Sequence, residues 1–164
     1  MAVAMRAGLP LVIAGVVHDS EYHERFVLPH VDGSRVRYVG PVGPAERDRL
    51  LGGAVALLHL ISFPEPFGLA VVESMMAGTP VIAYPLGSMP ELIRPGVSGF
   101  LVHDEAGAVA AARHVQGLDR AACRADAVAR FSSDRMIDDY EHLFTHLGVA
   151  PGTRSRARGR DVRP

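Results

Sequence analysis

Lysine is missing from this chain altogether: all seventeen basic residues are arginine, and asparagine is missing as well. No role that needs an ammonium can be filled by a side chain here. With abundant Ala, Val, Gly and Pro, this is the signature of GC-rich coding in a bacterial genome. Cysteine is nearly absent too. The single Cys123 excludes an internal disulfide and fits a reducing cytosol, so the expected location is cytoplasmic. No apolar run reaches the ~18 residues needed to cross a bilayer, which excludes a transmembrane segment. The opening "MAVAMRAGLPLVIAGVV" imitates a signal peptide, with Arg6 ahead of an apolar stretch. Pro10 opens that stretch, however, no small-x-small cleavage site follows cleanly, and "LVIAGVV" reads as a buried strand. The sequence also lacks G-x-S-x-G, Walker A and G-x-G-x-x-G patterns, against hydrolase, nucleotide triphosphatase and dinucleotide dehydrogenase readings.

What is present is enough for one core. The 164 residues, 48% hydrophobic and 21% charged, support a single domain. The net charge of −1 is unevenly spread: the last fourteen residues, "PGTRSRARGRDVRP", hold five Arg and one Asp, leaving twelve Arg against seventeen acidic residues before them. A body that acidic excludes nucleic acid as a general partner. Residues 149–164 read as a basic, disordered tail behind a domain spanning 1–148.

Short apolar runs alternate with helical patterns. "LVIAGVV" (11–17), "VRYVG" (36–40), "AVALLHLI" (54–61), "PVIAYP" (80–85) and "GFLV" (99–102) are strand candidates. "SEYHERFVLPHV", "PAERDRLLGGA", "FGLAVVESMMAG" and "SMPELIRPG" lie between them as helices or helical turns. Strands apolar on both faces and separated by helices predict an α/β fold: a doubly wound, Rossmann-like parallel sheet with helices on both faces. After Val102 the pattern is purely helical, over 108–114, 119–131 and 133–147. "SSDRM" supplies a serine N-cap for the last helix and Gly148 its stop. Before the first strand there is only a helix remnant, whereas a nucleotide-binding fold usually opens on a strand and a Gly-rich turn. The sequence thus reads as starting inside a domain.

Open α/β sheets bind ligands beyond the carboxyl ends of their strands, where loops lead into helices. "SFPEP" is such a loop, between "AVALLHLI" and "FGLAVVESMMAG". Gly68 removes a Cβ at the helix start, so the free N–H groups of Phe67, Gly68 and Leu69 can meet an anion. That is a phosphate site without a basic side chain. Glu73 lies ~8 Å further along the axis and leans back toward the helix start. It is placed to accept hydrogen bonds from the vicinal diol of a ribose. Glu65, on the loop with Pro66, faces the other side of the phosphates, where the hydroxyls of a sugar would sit. A nucleotide sugar fits between the two carboxylates.

The loop after the next strand, "AYPLGSMPELI", supports the first. Ser88 with Glu91 three residues on reads as a capping box with Pro90 in the first turn. Gly87, at a strand-to-helix turn, is a second candidate for close backbone approach. Elsewhere, His142 and His146 stand at i, i+4 behind Asp138 and Asp139, without an HExxH pattern or a third ligand at a set spacing, and read as a surface helix. His18 sits at a strand end that can face the site. His59 reads as a buried, hydrogen-bonded core residue, Met75, Met76 and Met136 as core filler, and Cys123 as a thiol with no catalytic partner.

The stretch "SFPEPFGLAVVESMMAGTPVIAYPLGSMPELIRPGVSGFLV" closely resembles the donor-binding segment of retaining, family-4 type glycosyltransferases of the GT-B fold. It carries their E-x7-E motif (Glu65 and Glu73), the "GTPV" strand, the "G-G/S-x-P-E" loop at Gly87 and Ser88, and the "G-x-x-G-F/L-L-V" turn. With less specificity the resemblance runs from about Met5 to about Leu147. It implies one half of a GT-B fold that takes a sugar from a nucleotide-diphosphate donor with retention at the anomeric carbon. No cofactor or metal is implied. Glu73 would bind the ribose hydroxyls, and Glu65 would contact the donor sugar as the candidate catalytic residue. Pro66, Phe67, Gly68, Leu69, Gly87 and Ser88 would complete the donor site.

The departures from that family are specific. Its members place an Arg and a Lys, as R-x4-K, ahead of the segment matching "AMRAGLPLVIAG", to neutralise the leaving diphosphate. They also carry an N-terminal acceptor-binding domain with a histidine near the donor sugar. This chain shows neither, so the expected partner, besides the nucleotide sugar, is an acceptor-binding domain or a second chain. The other reading is a non-catalytic nucleotide-sugar-binding module or pseudoenzyme subunit.

Overall fold

A computed structural model describes residues 1–148. The predicted tail at 149–164 lies outside the described residues. The chain divides into two compact units after Ala129. The first holds the five strands of the described residues: β1 (Leu11–Ile13), β2 (Val36–Tyr38), β3 (Leu57–His59), β4 (Val81–Ala83) and β5 (Gly99–Leu101). Its helices are α1 (Ala2–Ala7), α2 (Ser20–Tyr22), α3 (Pro44–Gly53), α4 (Leu69–Met76), α5 (Met89–Leu92), α6 (Glu105–His114) and most of α7 (Arg120–Phe131). Every predicted strand is present in shortened form. The stretch 20–31, expected as a helix or helical turn, is a series of short turns: α2 passes into a π-helical turn at His23–Val27 and a 3-10 turn at Leu28–His30. Pro29 explains why no α-helix continues there, since it has no N–H to donate to the carbonyl four residues back.

Among the described residues all pairing is parallel, as predicted, but in two ladders. β1 pairs with β2, in register Leu11 to Val36, while β3, β4 and β5 form a second ladder in that order. β4, hydrogen-bonded on both edges, is fully buried over Val81, Ile82 and Ala83. β3 is half-buried and β1 alternates between half-buried and exposed, although both had been read as buried on both faces. Each of them pairs on one edge only, and a strand without a second neighbour keeps one flank in solvent.

Leu58, Ile82 and Phe100 are cross-strand neighbours on one face. They pack with Val3 of α1 and with Ala108, Val109 and Ala112 of α6. Successive strand residues point to opposite faces, so Val81 and Ala83 face the other way, on the side where α4 packs against β3 and β4. α4 contributes Val71 and Met75 there, both fully buried. Burial of each such side chain stabilises the fold by ~1.5–3 kcal/mol. Helix α6 begins at Glu105 rather than Ala108 because Asp104 caps it, accepting from the Gly107 N–H at 2.7 Å.

The second unit begins at Arg130 and, within the described residues, consists chiefly of α8 (Ser133–His146). Ser132 caps α8 by accepting from the Arg135 N–H, and Gly148 follows it in the left-handed conformation, both as expected. Met136 is 53% exposed, which corrects the expectation of core filler. It shares α8 with Ile137, Tyr140, Leu143 and Phe144, all exposed as well. Among the described residues no helix is long and apolar enough to cross a membrane.

Candidate functional site

The loops after β3 and β4 meet at the carboxyl end of the three-stranded ladder and lock together through backbone. The Ser88 N–H donates to the Glu65 carbonyl at 2.9 Å. The Ser88 hydroxyl donates to the Phe67 carbonyl at 2.7 Å. Between these bonds Gly87 lies so close to the Glu65 loop that a Cβ there would stand 2.3 Å from the Glu65 carbonyl oxygen. Its φ of +59° is a conformation that side-chain-bearing residues rarely adopt. Gly87 is therefore a point of close approach, and the backbone approaching it is the chain's own. The capping-box reading of Ser88 with Glu91 is corrected here: Ser88 makes no side-chain cap on α5, because its hydroxyl is committed to Phe67.

Held this way, Glu65 is half-buried, with its aliphatic stem against Gly68. Gly68 is the N-cap of α4, at φ +89°. A Cβ on it would lie 2.7 Å from Met89 Cε and 3.3 Å from Leu92 Cδ1, so its missing side chain lets α5 pack under the start of α4. Because α4 starts at Leu69, its first-turn N–H groups are those of Leu69 and Ala70; the Val71 and Val72 N–H groups already donate to the Gly68 carbonyl. Ala70 was missed in the sequence because the helix was started two residues early. Phe67 and Leu69 are 50% and 68% exposed, and with Pro66 they leave an apolar rim around the helix start.

Glu73 stands four residues after Leu69, ~6 Å along the axis. Its carboxylate has a partner that the sequence did not reveal. Arg47 of α3 donates from Nη1 to Glu73 Oε1 at 2.6 Å, and both side chains are about one-third exposed. The same guanidinium donates from Nε and Nη2 to Asp48 Oδ1, at 3.1 and 2.9 Å. Asp48 first and Glu73 second raise the pKa of Arg47 above its ordinary value. The pair spans 26 residues, a separation at which no sequence periodicity signals contact.

His59 ends β3 just below this loop. It is half-buried, and its Nε2 has no hydrogen-bond partner among the described residues, which corrects the hydrogen-bonded core reading. Desolvation lowers its pKa below 6.5, and the nearby negative charge of Glu65 opposes that shift. At neutral pH the site therefore holds a neutral imidazole next to an anionic loop.

His18 does not join these residues. It lines a separate cleft of about 310 Å³ beyond β1 and β2, with Ile13, Gly15, Tyr22, His23 and Tyr38. There the Tyr38 hydroxyl donates to the Gly15 carbonyl at 2.7 Å and the His23 ring packs on Tyr38. Cys123 is fully buried, and burial pushes its thiol up to about 11, so it holds no thiolate at neutral pH. Among the described residues no three His, Cys, Asp or Glu side chains gather at metal-binding spacing, His142 and His146 included.

This geometry coincides with clear relationships to known proteins. Residues 2–118 match the family described as glycosyl transferases group 1. A D-inositol 3-phosphate glycosyltransferase of Mycobacterium marinum is 34% identical over 110 residues, which cover 63% of this chain and 23% of that protein. The corresponding protein of Streptomyces griseus is 42% identical over 69 residues, or 41% and 14% of the two chains. Among solved structures, AviGT4, a glycosyltransferase involved in avilamycin A biosynthesis, matches with a TM-score of 0.77 at 25% identity, over 92% of this chain and 46% of that one. Anabaena Alr3699/HepE, solved with UDP and glucose, shares the fold at 21% identity and a TM-score of 0.71, over 88% and 44%. The chain thus spans a quarter or less of these curated relatives and just under half of these solved structures. With the match covering well over half of its residues, the chain belongs to the glycosyl transferases group 1 family.

Proposed function

We propose that this chain is the donor-binding part of a retaining glycosyltransferase, taking a sugar from a nucleotide-diphosphate donor. The observation that carries the reading is the lock between Gly87–Ser88 and Glu65–Phe67, which fixes the Glu65 loop at the start of α4, the helix that carries Glu73. Glu73 accepts from the ribose diol through the oxygen that Arg47 leaves open. The Leu69 and Ala70 N–H groups face the diphosphate, and the positive end of the helix macrodipole favours its charge. Glu65, with Pro66, Phe67 and Gly68, meets the donor sugar. No metal ion enters this reading. The acceptor-binding surface and the cations that receive the departing diphosphate belong to a partner domain or chain.

Calorimetric titration of the purified chain with UDP, GDP and ADP tests it. One nucleotide is expected to bind, and Glu73→Ala is expected to weaken that binding by ~1–3 kcal/mol, the cost of losing a charge-assisted hydrogen bond. Unchanged affinity in the variant removes the ribose assignment. A folded chain that binds none of the three argues against a donor site here.

A further inference from the structure

We infer that Arg47 is a positioning residue: it orients the Glu73 carboxylate and so sets how strongly the site distinguishes ribose from deoxyribose. The inference rests on the donor-site reading of Glu73 and extends it to a residue on a different element.

Glu73 is the partly exposed residue between buried neighbours on α4, and its side chain has three torsions to explore. To accept from a ribose hydroxyl, its carboxylate must keep one direction. Arg47 supplies that constraint from α3, a helix packed against α4. Its guanidinium is fixed first: Asp48 Oδ1 takes Nε and Nη2, which occupies one edge of the planar fork. The remaining Nη1 then reaches Glu73 Oε1 at 2.6 Å. One carboxylate oxygen is thereby anchored, and Oε2 stays open to a ligand.

The stability of the fold does not account for this pair, since ion pairs this exposed contribute little to it. The pair also ends on a carboxylate that the site needs, whereas Arg49, two residues on, pairs with Glu46 on the exposed side of α3. A ribose hydroxyl arriving at Oε2 would find an acceptor already oriented by the bond from Arg47 to Oε1.

The test compares the nucleotide found by titration among UDP, GDP and ADP with its 2′-deoxy counterpart, taking the ratio of their affinities as the ribose preference. Thermal melting of each variant verifies folding. Arg47→Met is expected to lower that preference about tenfold, to the level of Glu73→Ala. Arg47→Lys, which keeps the charge and loses the fork, should recover part of it. Arg49→Met should leave it unchanged. A folded Arg47→Met chain that keeps the wild-type preference while Glu73→Ala loses it overturns the inference and spares the donor reading. Tighter binding of both nucleotides by Arg47→Met also overturns it, since Arg47 would then be a competitor for Glu73. Loss in neither variant, or no binding by the wild type, removes the ribose role of Glu73 and this inference with it.

Discussion

At the scale of single residues, the most informative group is His59, because it reports on Glu65 without taking part in the lock. Its folded-state pKa lies below its ordinary 6.5, lowered first by desolvation and raised in part by Glu65. A depressed folded pKa means that the unfolded chain binds the proton more readily. The stabilising effect of a neutral His59 is therefore fully present above about pH 6.5 and is lost as the pH falls through and below that value. Chemical denaturation across about pH 5–7.5 should show stability falling toward the acid end, and His59→Gln should flatten that slope. The same residue checks the site geometry. With the Glu65 charge removed in Glu65→Gln, the His59 resonance should titrate at still lower pH, and an unmoved titration would mean that the two groups do not interact.

At the scale of elements, the site depends on two loops sharing one backbone path. Gly87 is where they touch, at a positive φ and with no room for a Cβ. Gly87→Ala must adopt a conformation costing ~1–3 kcal/mol and must also push the Glu65 carbonyl away, breaking the Ser88 N–H bond. We expect a lower melting temperature by circular dichroism together with weakened nucleotide binding. A variant that binds like wild type would show that the lock is not what places Glu65. The helix on the other side of the site is held differently. Arg120 of α7 donates to the Ala54 and Gly52 carbonyls at the end of α3 and to Thr79 Oγ1 just before β4. Thr79 Oγ1 donates in turn to the Leu51 carbonyl. This clamp fixes the end of α3, the helix that carries Arg47.

At the scale of the whole molecule, the ledger of charge decides what the chain does alone. With no lysine in the sequence, and with Arg47 committed to Glu73 and Asp48, the proposed site offers a departing diphosphate, among the described residues, helix N–H groups. We therefore expect the purified chain to bind its nucleotide and transfer sugar at a negligible rate. Robust turnover by this chain alone, followed as nucleotide diphosphate release, would overturn that division of labour. What the residues themselves determined is what local chemistry controls. Alternating apolar runs and helices gave the parallel α/β class, Ser132 and Gly148 bounded α8, and the pair Glu65 and Glu73 around a glycine marked the candidate site proposed above, because periodicity, capping and turn chemistry act within a few residues. Only the tertiary structure decided that Ser88 bonds Phe67 instead of capping α5, that Gly87 accommodates Glu65, that β1 and β3 keep a flank in solvent, and that Arg47 grips Glu73. Each of these is a contact between segments far apart in sequence, set by how the strands order and how closely their loops can pack, and no local pattern encodes that.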